Sequence, residues 1–188
     1  VNMTSNALIS VWTVPERFLA AGLSKLTGKG REGVTIREAI AKGFGTLEGF
    51  GDGLRKGTRA LVNEDFADQF TKLDNRRRVI KGVGGKAVRM PFRFLAAEDQ
   101  FFKGIGYRQE LNALAMRQGL KENLSGRKLA SRIDEIKNAD LVVLSNRRIK
   151  AINEGDNALA KELQIKIDSV DNVRRAAKEG ANYQTFTN

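Results

Sequence analysis

Six glycines, Gly43, Gly45, Gly49, Gly51, Gly53 and Gly57, fall within fifteen residues of a stretch that otherwise reads as helix. Each glycine in a helix interior costs roughly 1 kcal/mol relative to alanine, so six are hard to explain as filler. The helical reading rests on two signals. Thr35 and Glu38 have the spacing of a capping box, and Ile36, Ile40, Phe44, Leu47, Leu54 and Leu61 recur on one face. Gly45, Gly49, Gly53 and Gly57 then form a four-residue stripe along which another backbone can approach closely, as small-residue faces do between membrane helices. Four readings stay open: a close protein–protein crossing, a tight helix crossing within the chain, a helix that breaks between Gly49 and Gly53, and membrane insertion. Glu48, Asp52, Arg55 and Lys56 among the glycines argue against lipid on all sides.

The second constraint is the stretch Pro91–Arg117, which holds five of the thirteen aromatic residues. Pro91 suits a first helical turn, where its missing N–H has no partner to lose. Phe94, Phe101, Phe102 and Ile105 share one face, while Tyr107, Leu111 and Leu114 make a second apolar stripe. A helix apolar on two sides is normally buried between neighbours. The expected core is therefore Phe94, Phe101, Phe102, Ile105, Tyr107 and Leu111, on a central helix spanning about 91–118.

The chain has 188 residues, enough for one domain with a real core or for two small ones. It contains no Cys, which excludes disulfides, zinc ribbons and thiol nucleophiles. It contains no His, which removes the commonest general base and the commonest transition-metal ligand. Two prolines and few β-branched runs favour helix. No apolar run reaches transmembrane length. The chain opens on Val1 rather than Met and ends in TFTN without a stop signature, so we expect a piece of a longer polypeptide.

The formal net charge of +11 points to an anionic partner, with a solvated basic surface as the plainer alternative. Most of it comes from residues 70–93, where Lys72, Arg76, Arg77, Arg78, Lys81, Lys86, Arg89 and Arg93 face only Asp74. Arg76, Arg77, Arg78, Lys81, Lys86, Arg89 and Arg93 are the candidate anion-binding residues, suited to phosphate-backbone contact without sequence readout. Within this run, KGVGGKA (residues 81–87) reads as a flexible loop. It is not a nucleotide-binding loop: Gly82 lies only two residues before Gly85-Lys86, and Ala87 stands where a hydroxyl is needed.

The remaining segments also read as helices. Residues 5–26 form a helix interrupted at Pro15, which packs on the core in preference to lying in a membrane interface. Residues 63–73 form a short amphipathic helix. Leu129, Ile133 and Ile136 mark another, and Asp140 caps the next through Leu141, Leu144, Ile149 and Ile152. A long final helix carries Leu159, Leu163, Val170, Val173 and Ala177 and stops at Gly180. The expected fold is all-α: a multi-helix array around the central helix with a long C-terminal amphipathic helix. The expected division is 1–62 (kinked and glycine-rich helices), 63–90 (short helix and basic loop) and 91–188 (central and C-terminal helices).

No catalytic or metal constellation emerges, and no cofactor is implied. Glu98 lies on the aromatic face, where a carboxyl can become a raised-pKa general acid. Nothing is placed to cooperate with it, and a buried ion pair or hydrogen-bonded core carboxylate is the better reading. We expect a non-enzyme.

At the central helix, Pro91, Leu95, Asp99, Phe101, Phe102, Ile105, Tyr107, Arg108, Glu110, Leu111, Ala115 and Arg117 form a pattern. It resembles the internal virion proteins of tailed phages, also called ejection or inner-core proteins, and the related large polyvalent proteins of phages and prophages. Ser5-Asn6-Ala7-Leu8, Pro15-Glu16-Arg17, Ala20-Ala21 and the Thr185-Phe186 ending agree in order, so the resemblance spans nearly the whole chain and is most specific at 91–117. It implies a helical section of a giant protein packed inside the capsid and delivered into the host envelope with the genome. There such proteins assemble into a conduit. The implied partners are further copies of the chain and other virion proteins (other ejection proteins, portal or tail), with DNA and the host membrane left open. The family's enzymatic regions lie elsewhere, and no catalytic residue carries over. Two alternatives stand beside this reading: a non-specific DNA-binding module of a polyvalent protein, and a helical segment of a giant virion RNA polymerase.

Overall fold

The structure, a computed structural model, describes residue 12 and residues 15–23, 35–63 and 82–186. All the elements among these residues are helices: α1 (15–23), α2 (Ile36–Asn63), α3 (Gly82–Lys121), α4 (Gly126–Asn138), α5 (Leu141–Asn153) and α6 (Asn157–Phe186). The fold is all-α. α3 is the organising element, with α2 on one side of it and α4 and α6 on another; α5 packs on α6.

The helix ends follow from local chemistry. The Thr35 hydroxyl accepts a hydrogen bond from the Glu38 N–H at 3.2 Å and starts α2. The reciprocal half of that capping box is not made, because the Glu38 carboxylate instead accepts from Arg117 of α3. Asp140 caps α5 through the N–H groups of Val142 and Val143 (2.9 and 3.2 Å), and Asp156 caps α6 through that of Leu159 (2.9 Å). α3 ends where Asn123 takes a positive φ of 56°. The Asn123 N–H then bonds to the Leu120 carbonyl and the Leu124 N–H to that of Gly119, both at 3.0 Å, which is the Schellman pattern.

The main core lies between α3, α4 and α6: Leu111 and Ala115, Ile136, and Val170 and Ala177, with Tyr107, Leu114, Ile133 and Val173 packed around them. Of the expected core residues, Phe102, Ile105 and Leu111 are buried and Phe101 and Tyr107 are half-buried. Phe94 is not core; it is 58% exposed. It lies on the first half of α3, where α2 covers one side of the helix only.

Three expectations about boundaries are corrected. The segment KGVGGKA was expected as a loop, but α3 already begins at Gly82. Pro91 is therefore inside α3, and not in its first turn; there it cannot donate to the Ala87 carbonyl. Gly180 does not end α6, which runs on to Phe186. A side chain at 180 would press on Glu110 of α3, its Cβ 3.1 Å from the Glu110 Cγ, so this glycine serves a close approach instead of a stop. The expected helix at 63–73 lies outside the described residues apart from its first position.

Candidate interaction surface

α2 is a single unbroken helix, and its glycine stripe meets α3 of the same chain. The partners descend along α3 as the glycines ascend: Gly45 faces Arg108 and Gln109, Gly49 faces Ile105, Gly53 faces Phe101, and Gly57 faces Ala97. The two helices are thus antiparallel. A Cβ at Gly49 would sit 2.7 Å from the Ile105 Cα, and one at Gly104 of α3 would sit 2.7 Å from the Gly53 Cα. Both lie inside ordinary van der Waals contact. Glycine is required here because backbone meets backbone. The stripe is fully used inside the chain, so it is not an exposed oligomer-forming face.

A ladder of polar pairs flanks these glycines. Lys42 is 1% exposed, and its ammonium donates to Glu110 at 2.7 Å; Arg17 of α1 reaches the same carboxylate at 3.5 Å. Arg117 donates twice to the buried Glu38 (3.1 and 2.8 Å), and Arg108 donates to Asp52 at 2.6 Å. Glu48 accepts from Asn112 at 3.0 Å and from Lys137 of α4 at 2.7 Å, while Gln109 donates to the Thr46 hydroxyl at 2.9 Å. Burial pushes the Lys42 ammonium below the ordinary lysine range, against the opposing charge and hydrogen bond of Glu110. Partial burial acts to raise Glu48, but the hydrogen bonds of Lys137 and Asn112 and the charges of Lys137 and Arg108 outweigh it and hold the carboxyl low.

This arrangement turns the apolar stripe of α2 outward. Gly45 is nine residues from both Ile36 and Leu54, which is two and a half turns, or the opposite side of the helix. With the glycines and the ion pairs against α3, the stripe Ile36, Ile40, Phe44, Leu47 and Leu54 faces solvent. Together with Phe50 and Val62, these residues are between 44 and 74% exposed. Leu61, the last of the expected stripe, is half-buried. Hydrophobic patterning alone places this stripe in the core. The overlooked signal is that two stripes on opposite sides of a helix with one neighbour cannot both be buried.

The uncovered face is large. Residue surfaces near 200 Å² and the observed exposures leave on the order of 800 Å² open. That matches what one partner contributes to a standard protein interface and exceeds the usual largest patch on a monomer, about 300–600 Å². Its charge is one-sided as well. All three carboxylates of α2 (Glu38, Glu48 and Asp52) are engaged by Arg117, Lys137 and Arg108 on the inner side or its margin. Arg37 and Arg55 are eighteen residues apart, five full turns, so they share one flank of the apolar stripe, with Arg59 one turn beyond Arg55. All three are exposed, and Arg55 reaches back to Asp52 only at 3.7 Å.

Arg76, Arg77, Arg78 and Lys81 lie outside the described residues; Lys86 and Arg89 fall on the first turns of α3, and Arg93 is half-buried on the same helix. Glu98 is half-buried and already engaged. Asp99 pairs with Lys103 at 2.7 Å, as the i,i+4 spacing predicts. An open cleft of about 480 Å³ between α3 and α6 is lined by Lys56, Lys103, Arg174, Arg175 and Lys178 with Asp171. Its cations are largely committed: Lys103 to Asp99, Arg174 to the carbonyls of Ile136 and Ala139, and Arg175 to Asp171. Among the described residues no group of His, Cys, Asp or Glu could hold a metal ion, and no helix is long and apolar enough to cross a membrane.

No family model matches the chain, and neither the curated proteins nor the solved structures yield a match.

Proposed function

We propose that this chain is a structural, non-catalytic segment of an internal virion protein, delivered with the genome and acting at the host envelope as part of an assembly. The observation that carries the reading is α2. Its inner face is shaped for close packing on α3, and its outer face presents a rigid apolar stripe that nothing in the described chain covers. A fold that leaves on the order of 800 Å² of apolar helix uncovered is organised to dock rather than to enclose a substrate. The sequence pattern at 91–117 supports the virion placement, and the lack of His and Cys supports a non-catalytic role.

The test uses particles whose genome encodes the chain. Mass spectrometry of purified particles is expected to recover its peptides, and Phe44→Asp/Leu47→Asp is expected to leave the particle intact while abolishing genome delivery. Absence of the peptides from purified particles overturns the virion reading. Full infectivity of the double variant overturns the role of the α2 face.

A further inference from the structure

We infer that the outer face of α2 lies in the interface of an anionic lipid bilayer, with Ile36, Ile40, Phe44, Leu47 and Leu54 among the acyl chains and Arg37, Arg55 and Arg59 on the headgroup phosphates. The inference rests on the docking reading above and names the partner of that face. The geometry fits the demands of an interfacial helix: a long apolar stripe beside a flank carrying Arg37, Arg55 and Arg59, whose one exposed carboxylate, Glu48, is paired with Lys137 of α4. From Ile36 to Val62 the stripe extends about 40 Å along one element. Among helices α2–α6, the backbone of α2 packs closely on α3 alone, with Lys137 of α4 reaching it through Glu48, and its outer stripe is exposed.

Charge favours lipid over an antiparallel pairing of two copies of the chain. An isologous dimer through this face with antiparallel α2 helices brings Arg37 of one copy beside Arg59 of the other. The carboxylates that could relieve this repulsion are all held toward α3 and α4. Like charges so placed disfavour that dimer, whereas anionic headgroups supply the missing countercharge along the entire flank. Glu38 and Asp52 are held toward α3, and Glu48, on the same flank as the arginines, is paired with Lys137, which leaves that flank with a net positive charge. No helix among the described residues could span the bilayer, so the contact is one of lying on the surface.

The experiment is flotation of the full chain with vesicles of phosphatidylcholine alone and of phosphatidylcholine with one-quarter phosphatidylglycerol, beside sedimentation of the chain without lipid. The expected result is co-flotation with the anionic vesicles and at most weak association with neutral ones. Phe44→Asp/Leu47→Asp should lower binding at least about tenfold. Arg37→Gln/Arg55→Gln/Arg59→Gln should lower anionic-vesicle binding by roughly a hundredfold, at about fivefold per cation, with little change on neutral vesicles. These side chains project from the outer side of α2, so unchanged circular dichroism and Tm will show that the variants fold. If the wild type ignores anionic vesicles but self-associates, and the aspartate variant is monomeric, the lipid assignment fails while the docking face stands with protein as its occupant. If the wild type neither floats nor self-associates, the lipid assignment fails. Equal flotation of wild type and variants also overturns the assignment.

Discussion

Alanine at Gly53 tests the α2–α3 crossing most sharply, because propensity and packing predict opposite signs. Replacing a helix-interior glycine by alanine is worth roughly 1 kcal/mol where the side chain meets nothing. Gly51 is such a position, exposed and with nothing within 4 Å of where the alanine methyl would stand, so Gly51→Ala should raise Tm by about 2–4 °C for a chain of this size. At Gly53 the same methyl lands 2.5 Å from the Phe101 carbonyl oxygen and 3.2 Å from its ring. The carbonyl belongs to the α3 backbone and cannot step aside, so the helices must separate. Overpacking of this kind costs about 1–3 kcal/mol, and separation also stretches the neighbouring Arg108–Asp52 pair, now at 2.6 Å. Net of the propensity gain, Gly53→Ala should lower stability by up to about 2 kcal/mol and Tm by up to several degrees. Adding Gly104→Ala, whose methyl would point at the Gly53 Cα, should cost less than the sum of the singles, because the helices have already parted. Urea and thermal unfolding followed by far-UV circular dichroism read the wild type and each variant. A Gly53→Ala protein as stabilised as Gly51→Ala would refute the crossing.

Further expectations concern the polar ladder. Glu110→Gln leaves the Lys42 ammonium buried without its countercharge and should destabilise by about 3–5 kcal/mol in urea titration, whereas Lys42→Met in the same background should recover most of the loss. Because Lys42 is held below its ordinary 10.5, it binds its proton less tightly folded than unfolded. Its burden on stability should ease as pH rises toward that value, and Lys42→Met should remove this alkaline gain. Glu48 and Glu122 are both held below 4.5; for Glu122 the Arg132 hydrogen bond leads, against the opposing effect of burial. Their stabilisation is present above about pH 4.5 and is lost as pH falls through the depressed folded values, so Glu48→Gln should flatten the acid limb of a stability–pH curve.

Much of the architecture is legible in residue patterns, since helix ends are local events. Thr35 and Asp140 cap where their spacing says they should, and Tyr107, Leu111 and Leu114 pack into the core through the second stripe of α3. The departures share a physical cause. At Gly82–Ala87 and Gly180, glycine reads locally as punctuation, but a helix packed closely enough on another can run through it, as Gly180 shows against Glu110. The orientation of α2 is not legible, because hydrophobicity argues for burying its large stripe. What buries the other face is the sum of close backbone contact and paired charges on α3 and α4. Glu38, Lys42 and Asp52 reveal nothing of that until Arg117, Glu110 and Arg108 are known to stand opposite. The same partners are what leave the outer face unopposed and cationic.

The chain's lack of cysteine allows a direct measurement of that orientation. Leu47→Cys places one thiol on the outer stripe and Ala60→Cys one on the buried side, where Ala60 is 0% exposed. Under native conditions the thiol at 47 should react with a water-soluble disulfide reagent nearly as fast as in the unfolded chain, and the thiol at 60 roughly a hundredfold slower or more, limited by local opening. Equal rates, or protection at 47 with reactivity at 60 in the monomer, would contradict a helix that buries its glycines and displays its apolar face.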